Sequence, residues 1–127
     1  MPAILSTSPD FNTVLGQAIN GSKSVEVDAA SGAIALKEGT VVITKAGIAA
    51  MTLAAPTAGA QTAGGDDNKK LTILSTTAFA HTITTPANGL NGSLHICTFA
   101  ANVGSAIELI AYNGAWYMVN DIGATLT

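Results

Sequence analysis

The sequence predicts an all-β fold, an antiparallel β-sandwich or barrel-like domain, on three observations. Short apolar segments alternate with polar residues at a period of two, they recur from residue 24 onward, and turn residues separate them. No stretch shows the 3.6-residue periodicity of an amphipathic helix. Many short strands with frequent turn signals, here nine within about 100 residues, are typical of sandwiches and barrels.

Each predicted strand is bounded by residues that favour turns. The nine predicted strands are 24–28, 33–37, 40–45, 48–54, 70–77, 80–85, 93–100, 106–112 and 115–120. Asn113-Gly114, between the last two strands, gives the strongest hairpin signal in the chain, since this dipeptide favours a type I′ turn.

The length of 127 residues suits a single domain with its own core. Residues 1–22 are rich in Ser, Asn, Gly and Pro and predict an N-terminal arm, so we expect a single β-domain over 23–127. Residues 55–69 contain no large side chain and predict a loop that leaves the domain laterally or separates its two halves.

Composition argues against several classes of protein. Only 10% of the residues are charged, the net charge is −3 and there is no arginine, so nucleic-acid binding is not expected. No apolar run reaches the length of a membrane span, and the first residues do not resemble a secretory signal. The single cysteine, Cys97, cannot form an internal disulfide, which is consistent with synthesis in a reducing cytoplasm.

Candidate chemistry is sparse. His81, His95 and Cys97 are the obvious candidate metal ligands, but structural zinc sites usually contain two close pairs of ligands, and no second pair accompanies His95 and Cys97. Core positions and an inert thiol are therefore the expectation. Glu26 and Glu108 are the acids within predicted strands, and we do not expect them to form a catalytic pair. Residues 64–70, GGDDNKK, match no phosphate or calcium loop and predict a solvated turn. We therefore expect no enzyme activity, no cofactor and no metal.

The last hairpin predicts an interface because both of its faces are largely apolar. In the first strand, alternation places Ile107, Leu109 and Ala111 on one face and Glu108, Ile110 and Tyr112 on the other. In the returning strand it places Trp116 and Met118 on one face and Tyr117 and Val119 on the other. Either the hairpin is covered on both sides within the chain, or one face packs on another subunit; low charge favours a homo-oligomer. The candidate interface residues are Ile110, Tyr112, Trp116, Tyr117 and Met118. For Trp116 a core position is the alternative, and the interface is slightly preferred.

From residue 46 to the end, four segments carry a resemblance to a known family. They are AGIAAMTLAAPTAG, DDNKKLTILSTTAFAHTITTP, GLNG and AIELIAYNGAWYMV. This pattern resembles small bacteriophage head decoration (capsid cement) proteins and is also similar to β-domains of phage fibres. The motifs consist mainly of turn and core residues, and residues 1–45 show no such likeness.

The resemblance implies a homotrimer on the outer surface of a phage capsid. Such a protein would contact neighbouring subunits of the major capsid protein and stabilise the shell against internal pressure. Small size, negative charge and an apolar β-surface agree with this role. A trimeric fibre, tail or receptor-binding module is the alternative.

Overall fold

The computed structural model describes residues 24–127, which form ten β-strands and one short 3-10 turn over Gln61–Ala63. The strands are β1 Val25–Asp28, β2 Gly32–Ile34, β3 Gly39–Ile43, β4 Ala50–Leu53, β5 Lys70–Ser75, β6 Thr82–Thr84, β7 Ile96–Phe99, β8 Ala106–Tyr112, β9 Ala115–Ile122 and β10 Ala124–Leu126. The predicted arm, residues 1–22, lies outside the described residues. Among those that are described, no helix is long and apolar enough to cross a membrane.

The strands form two five-stranded sheets, as the all-β prediction requires. Sheet A has the order β1-β3-β5-β8-β9, and sheet B has the order β10-β7-β6-β4-β2. All nine predicted strands overlap a strand of the structure, and β10 is the one that the sequence did not indicate. The all-β class and the sandwich are therefore confirmed.

The expectation of purely antiparallel sheets is corrected. Four of the eight strand pairings within residues 24–127 are parallel, namely β1–β3, β3–β5, β2–β4 and β4–β6. The chain alternates between the sheets from β1 to β6, so each strand returns beside the strand two before it and runs in the same direction. Period-two alternation is the same in both kinds of sheet and does not distinguish them.

The core lies between the two sheets and is lined by the inward residues of each strand. Its buried apolar side chains are Ile34, Val41, Ile43, Ala49, Met51, Leu53, Leu71, Ile73, Ile83, Leu90, Cys97, Phe99, Ile107, Leu109, Ala111 and Trp116. Burial of this size is the main favourable contribution to folding in a domain without disulfides.

Two glycines are required by local geometry. Gly114 has φ +83° and Asn113 has φ +49°, so both central residues of the β8–β9 turn are left-handed and the type I′ prediction is confirmed. Gly39 has φ +118°, and a Cβ there would overlap the carbonyl oxygen of Ser24, which accepts a hydrogen bond from Thr40 N–H at 2.9 Å. Gly39 therefore lets the chain before β1 approach β3.

Candidate functional site

His81 is a core residue whose two ring nitrogens both have partners. Nδ1 accepts a hydrogen bond from Ala49 N–H at 3.0 Å, and Nε2 lies 3.0 Å from Thr77 Oγ1. Thr77 Oγ1 donates its own proton to the Lys45 carbonyl at 2.8 Å, so it accepts from Nε2–H. Burial lowers the pKa of His81 below its ordinary value, which keeps the ring neutral.

Cys97 and His95 do not join His81 in a metal site. Cys97 is fully buried in β7, and its burial, with a smaller contribution from Asp121, raises the pKa of the thiol to about 12. His95 is exposed at the start of that strand. Within residues 24–127 no three His, Cys, Asp or Glu side chains come together. The geometry thus gives Cys97 and His81 structural positions.

The segment predicted as a solvated turn is instead anchored by a buried carboxylate. Asp66 is only 6% exposed, and it accepts a hydrogen bond from Thr57 N–H at 2.7 Å. Its two oxygens also lie 2.8 Å from Lys69 Nζ and 3.4 Å from Lys37 Nζ. The Lys69 ammonium and the Thr57 N–H hold the pKa of Asp66 at about 2. The sequence does not indicate this burial, because two of the three partners of Asp66, Lys37 and Thr57, are not neighbours of it in the sequence.

Asp67 fixes the 55–69 loop to the last hairpin. Its Oδ1 accepts hydrogen bonds from Asn113 N–H at 2.8 Å and from Gly59 N–H at 3.2 Å. The loop therefore packs on the β8–β9 turn, and the adjacent Asp66 contacts hold its other side.

The outer face of sheet A carries several exposed apolar side chains. The strand register brings together Val25, Val27, Val42, Leu74, Ile110, Tyr112, Tyr117, Val119 and Ile122, which we call the apolar face. Tyr112, Val119 and Ile122 are each more than half exposed, so no described element covers this part of the sheet. The register places the charged residues Lys70 and Glu108 among them, and Asp67 lies beside Tyr112 and Tyr117. A row of polar residues, Thr40, Thr72, Glu108 and Asn120, crosses this face and divides its apolar residues between two patches. Exposed apolar patches are typical of interaction sites.

The structure divides the five predicted interface residues between two faces. Ile110, Tyr112 and Tyr117 lie together on the apolar face, where they line a shallow groove of about 510 Å³. Trp116 and Met118 lie on the inner side of β9, against the core. The alternation predicted for β8 and β9 is therefore confirmed.

Trp116 belongs to the core of its own chain. It has no exposed surface, and its indole Nε1–H donates to the Ala54 carbonyl at 3.0 Å. The preference for an interface role is corrected in favour of the core alternative, since the side chain has no surface left for a partner. Alternation placed Trp116 and Met118 together on one face of β9. Alternation alone does not show which of two apolar faces is buried.

β1 contributes a pair of carboxyl groups that the sequence analysis did not single out. Glu26 and Asp28 pair in register with Val41 and Ile43, so they lie on the inner face of sheet A, while the valines of β1 point outward. The alternation in SVEVD predicts that the two acids share one face of the strand. In the usual arrangement the valines would face the core and the acids the solvent, and here the two faces are exchanged.

Comparison with known proteins does not show a family for this chain. No protein-family model matches the chain, and no curated protein matches it. Among solved structures, one named "Structure of a chaperone-substrate complex" is similar over 78% of this chain, with 16% identity and a TM-score of 0.45. This chain spans 18% of the length of that one. The likeness carries no argument about function.

Proposed function

We propose that this chain is a structural virion protein that decorates the outer surface of a phage capsid and stabilises it by binding the major capsid subunits. The observation that carries the proposal is the apolar face, which leaves large side chains in water in the single chain. The phage assignment rests on the motif resemblance between residue 46 and the C-terminus.

The apolar face is best used for association between copies of the chain, most simply as a homotrimer. Tyr112 and Tyr117 offer large amphipathic side chains of the kind enriched at protein interfaces. The charged residues at this face, Lys70, Glu108 and Asp67, are few and of both signs, so association of two copies brings few like charges together.

The groups with perturbed chemistry favour a structural role over catalysis. His81 is neutral and has partners on both nitrogens, the Cys97 thiol is buried, and Asp66 is held by two ammonium groups. Each of these groups stabilises the fold and is not directed into a cleft.

Electron microscopy of phage particles labelled with an antibody against this protein tests the proposal. The particles are taken from a lysate of the bacterium that carries the gene. Dense labelling over the whole head supports capsid decoration. Labelling restricted to the tail or its fibres supports the alternative, a fibre or tail module, and particles without label contradict both.

A further inference from the structure

β1 is an edge strand with few contacts to hold it. Within the described residues it pairs only with β3, and its outward side chains, Val25 and Val27, are 62% and 63% exposed. Edge segments with exposed side chains open more readily than central strands. Besides the main-chain pairing with β3, the inward residues Glu26 and Asp28 therefore determine the free energy of detaching β1 from the domain.

Glu26 connects β1 to the segment that follows β2. Its Oε1 accepts hydrogen bonds from Ala35 N–H at 2.9 Å and from Leu36 N–H at 3.0 Å. One carboxylate oxygen thus joins the edge of sheet A to the chain leaving the edge of sheet B.

The remaining oxygens of the pair present an unsatisfied arrangement. Glu26 Oε2 and Asp28 Oδ2 are both buried, and neither has a hydrogen-bond donor within residues 24–127. Two residues apart on one strand, their side chains lie on the same face. Two ionised carboxylates offer only acceptors, whereas a proton on one of them makes it a donor to the other. A single proton therefore satisfies both atoms.

We propose that Glu26 and Asp28 share one proton and that this proton holds β1 in place, so that the first strand of the domain is a pH-dependent element. When the proton is lost, two negative carboxylates are left with no donor between their buried oxygens, and the closed position of β1 becomes less favourable.

The charges around the pair support this assignment. Burial, followed by the hydrogen bond and the charge of Glu26, raises the pKa of Asp28 from 3.8 to about 7. β3 carries no ionisable side chain, and the ammonium of Lys37, beyond Leu36, lies 3.4 Å from Asp66. Glu38 and Lys45 flank β3, and neither contributes to the pKa of Asp28.

The direction of the pH effect follows from proton binding. Between pH 3.8 and about 7 the closed strand holds a proton that the open strand releases. Opening of β1 therefore becomes more favourable as the pH rises through this range, by up to about tenfold for each pH unit, and is constant above it.

Hydrogen–deuterium exchange of the full chain tests the proposal, with Asp28→Asn as the variant. The Asn amide donates to Glu26 at every pH, so the variant should keep β1 equally protected across the range. In the native protein, protection of the β1 amides and of Ala35 and Leu36 should fall relative to the variant as the pH rises from about 4 to about 7. Comparison at each pH removes the intrinsic pH dependence of exchange.

Glu38→Gln is the matched control, since it removes a nearby acid that does not act on the pair, and it should retain the native pH dependence. Parallel protection profiles for native protein and Asp28→Asn would overturn the proposal. If Asp28→Asn does not fold, a carbon NMR titration of the native carboxyl groups decides. An Asp28 titration midpoint near 7 supports the shared proton, and a midpoint near the ordinary 3.8 rejects it.

Discussion

Trp116 fills the space between the sheets and combines apolar burial with one directed hydrogen bond. Because its side chain is completely buried and its Nε1–H is bound to Ala54, both the ring and the donor contribute to stability. Its effect belongs to the single chain, whatever the number of subunits.

Trp116→Ala should therefore lower the free energy of unfolding by about 3–5 kcal/mol, as a large-to-small core substitution does. Trp116→Phe is the control of intermediate size, because it retains an aromatic ring but loses the bond to Ala54 and part of the buried ring volume, so its loss of stability should be smaller. Chemical denaturation measures both, and sedimentation should show the variant in the same oligomer as the native protein. A dissociated variant of native stability would place Trp116 at an interface.

Asp66 makes the stability of the loop depend on acid. Its native pKa of about 2 lies below the ordinary 3.8, so its contribution is complete above about pH 4 and is lost as the pH falls toward 2. We expect Asp66→Asn to lower the free energy of unfolding by about 2 kcal/mol at neutral pH. The difference between the variant and the native protein should disappear in acid, where the native carboxylate becomes protonated. Denaturation at several pH values checks this, and a constant difference between native protein and variant down to pH 2 would contradict it.

Residue positions were predictable from the sequence where alternation decides them. Alternation correctly separated the residues of β8 and of β9 into two faces, but it did not show which face is buried. The burial of Asp66 was not predictable, since Lys37 and Thr57 reach it only through the fold. The Glu26–Asp28 pair was missed because acids in an edge strand normally face water.

At the scale of elements, the β8–β9 hairpin provides a large part of the apolar face. The pairing of Ile110 with Tyr117 and of Tyr112 with Ala115 places two tyrosines next to each other diagonally across the strands. Asp67 holds the turn from the side, so the face is presented by a fixed element.

Tyr112→Glu should dissociate the oligomer and leave the fold intact. A charge on the apolar face has to be desolvated on association, while the exposed side chain contributes little to the single chain. Thr125→Glu, on the outer face of sheet B, is the matched control and should not change assembly. Circular dichroism and sedimentation measure the two properties. An oligomer unaffected by Tyr112→Glu would exclude this face as the interface.

Strand existence was predictable, but strand pairing was not. Nine of the ten strands of residues 24–127 were indicated by alternation and turn residues, whereas β10 has only three residues after Gly123. The parallel pairings of β1 to β6 follow from alternation between two sheets, which is a long-range property of the chain. No local periodicity encodes it.

At the scale of the whole molecule, the two sheets present different outer surfaces. Sheet A carries the apolar face, while the register of sheet B places Thr52, Thr82, Thr84, Thr98 and Thr125 outward. An apolar surface on one side and an uncharged hydroxyl surface on the other fit a protein that associates through sheet A and leaves sheet B to other contacts.

Sedimentation of the purified full chain at micromolar concentration tests most directly whether the apolar face is buried by self-association. We expect an oligomer, most simply a trimer, whose mass is three times the chain mass of 12.7 kDa. The oligomer should persist in high salt, because its interface carries few charges. A monodisperse species at the mass of the single chain would contradict self-association through the apolar face.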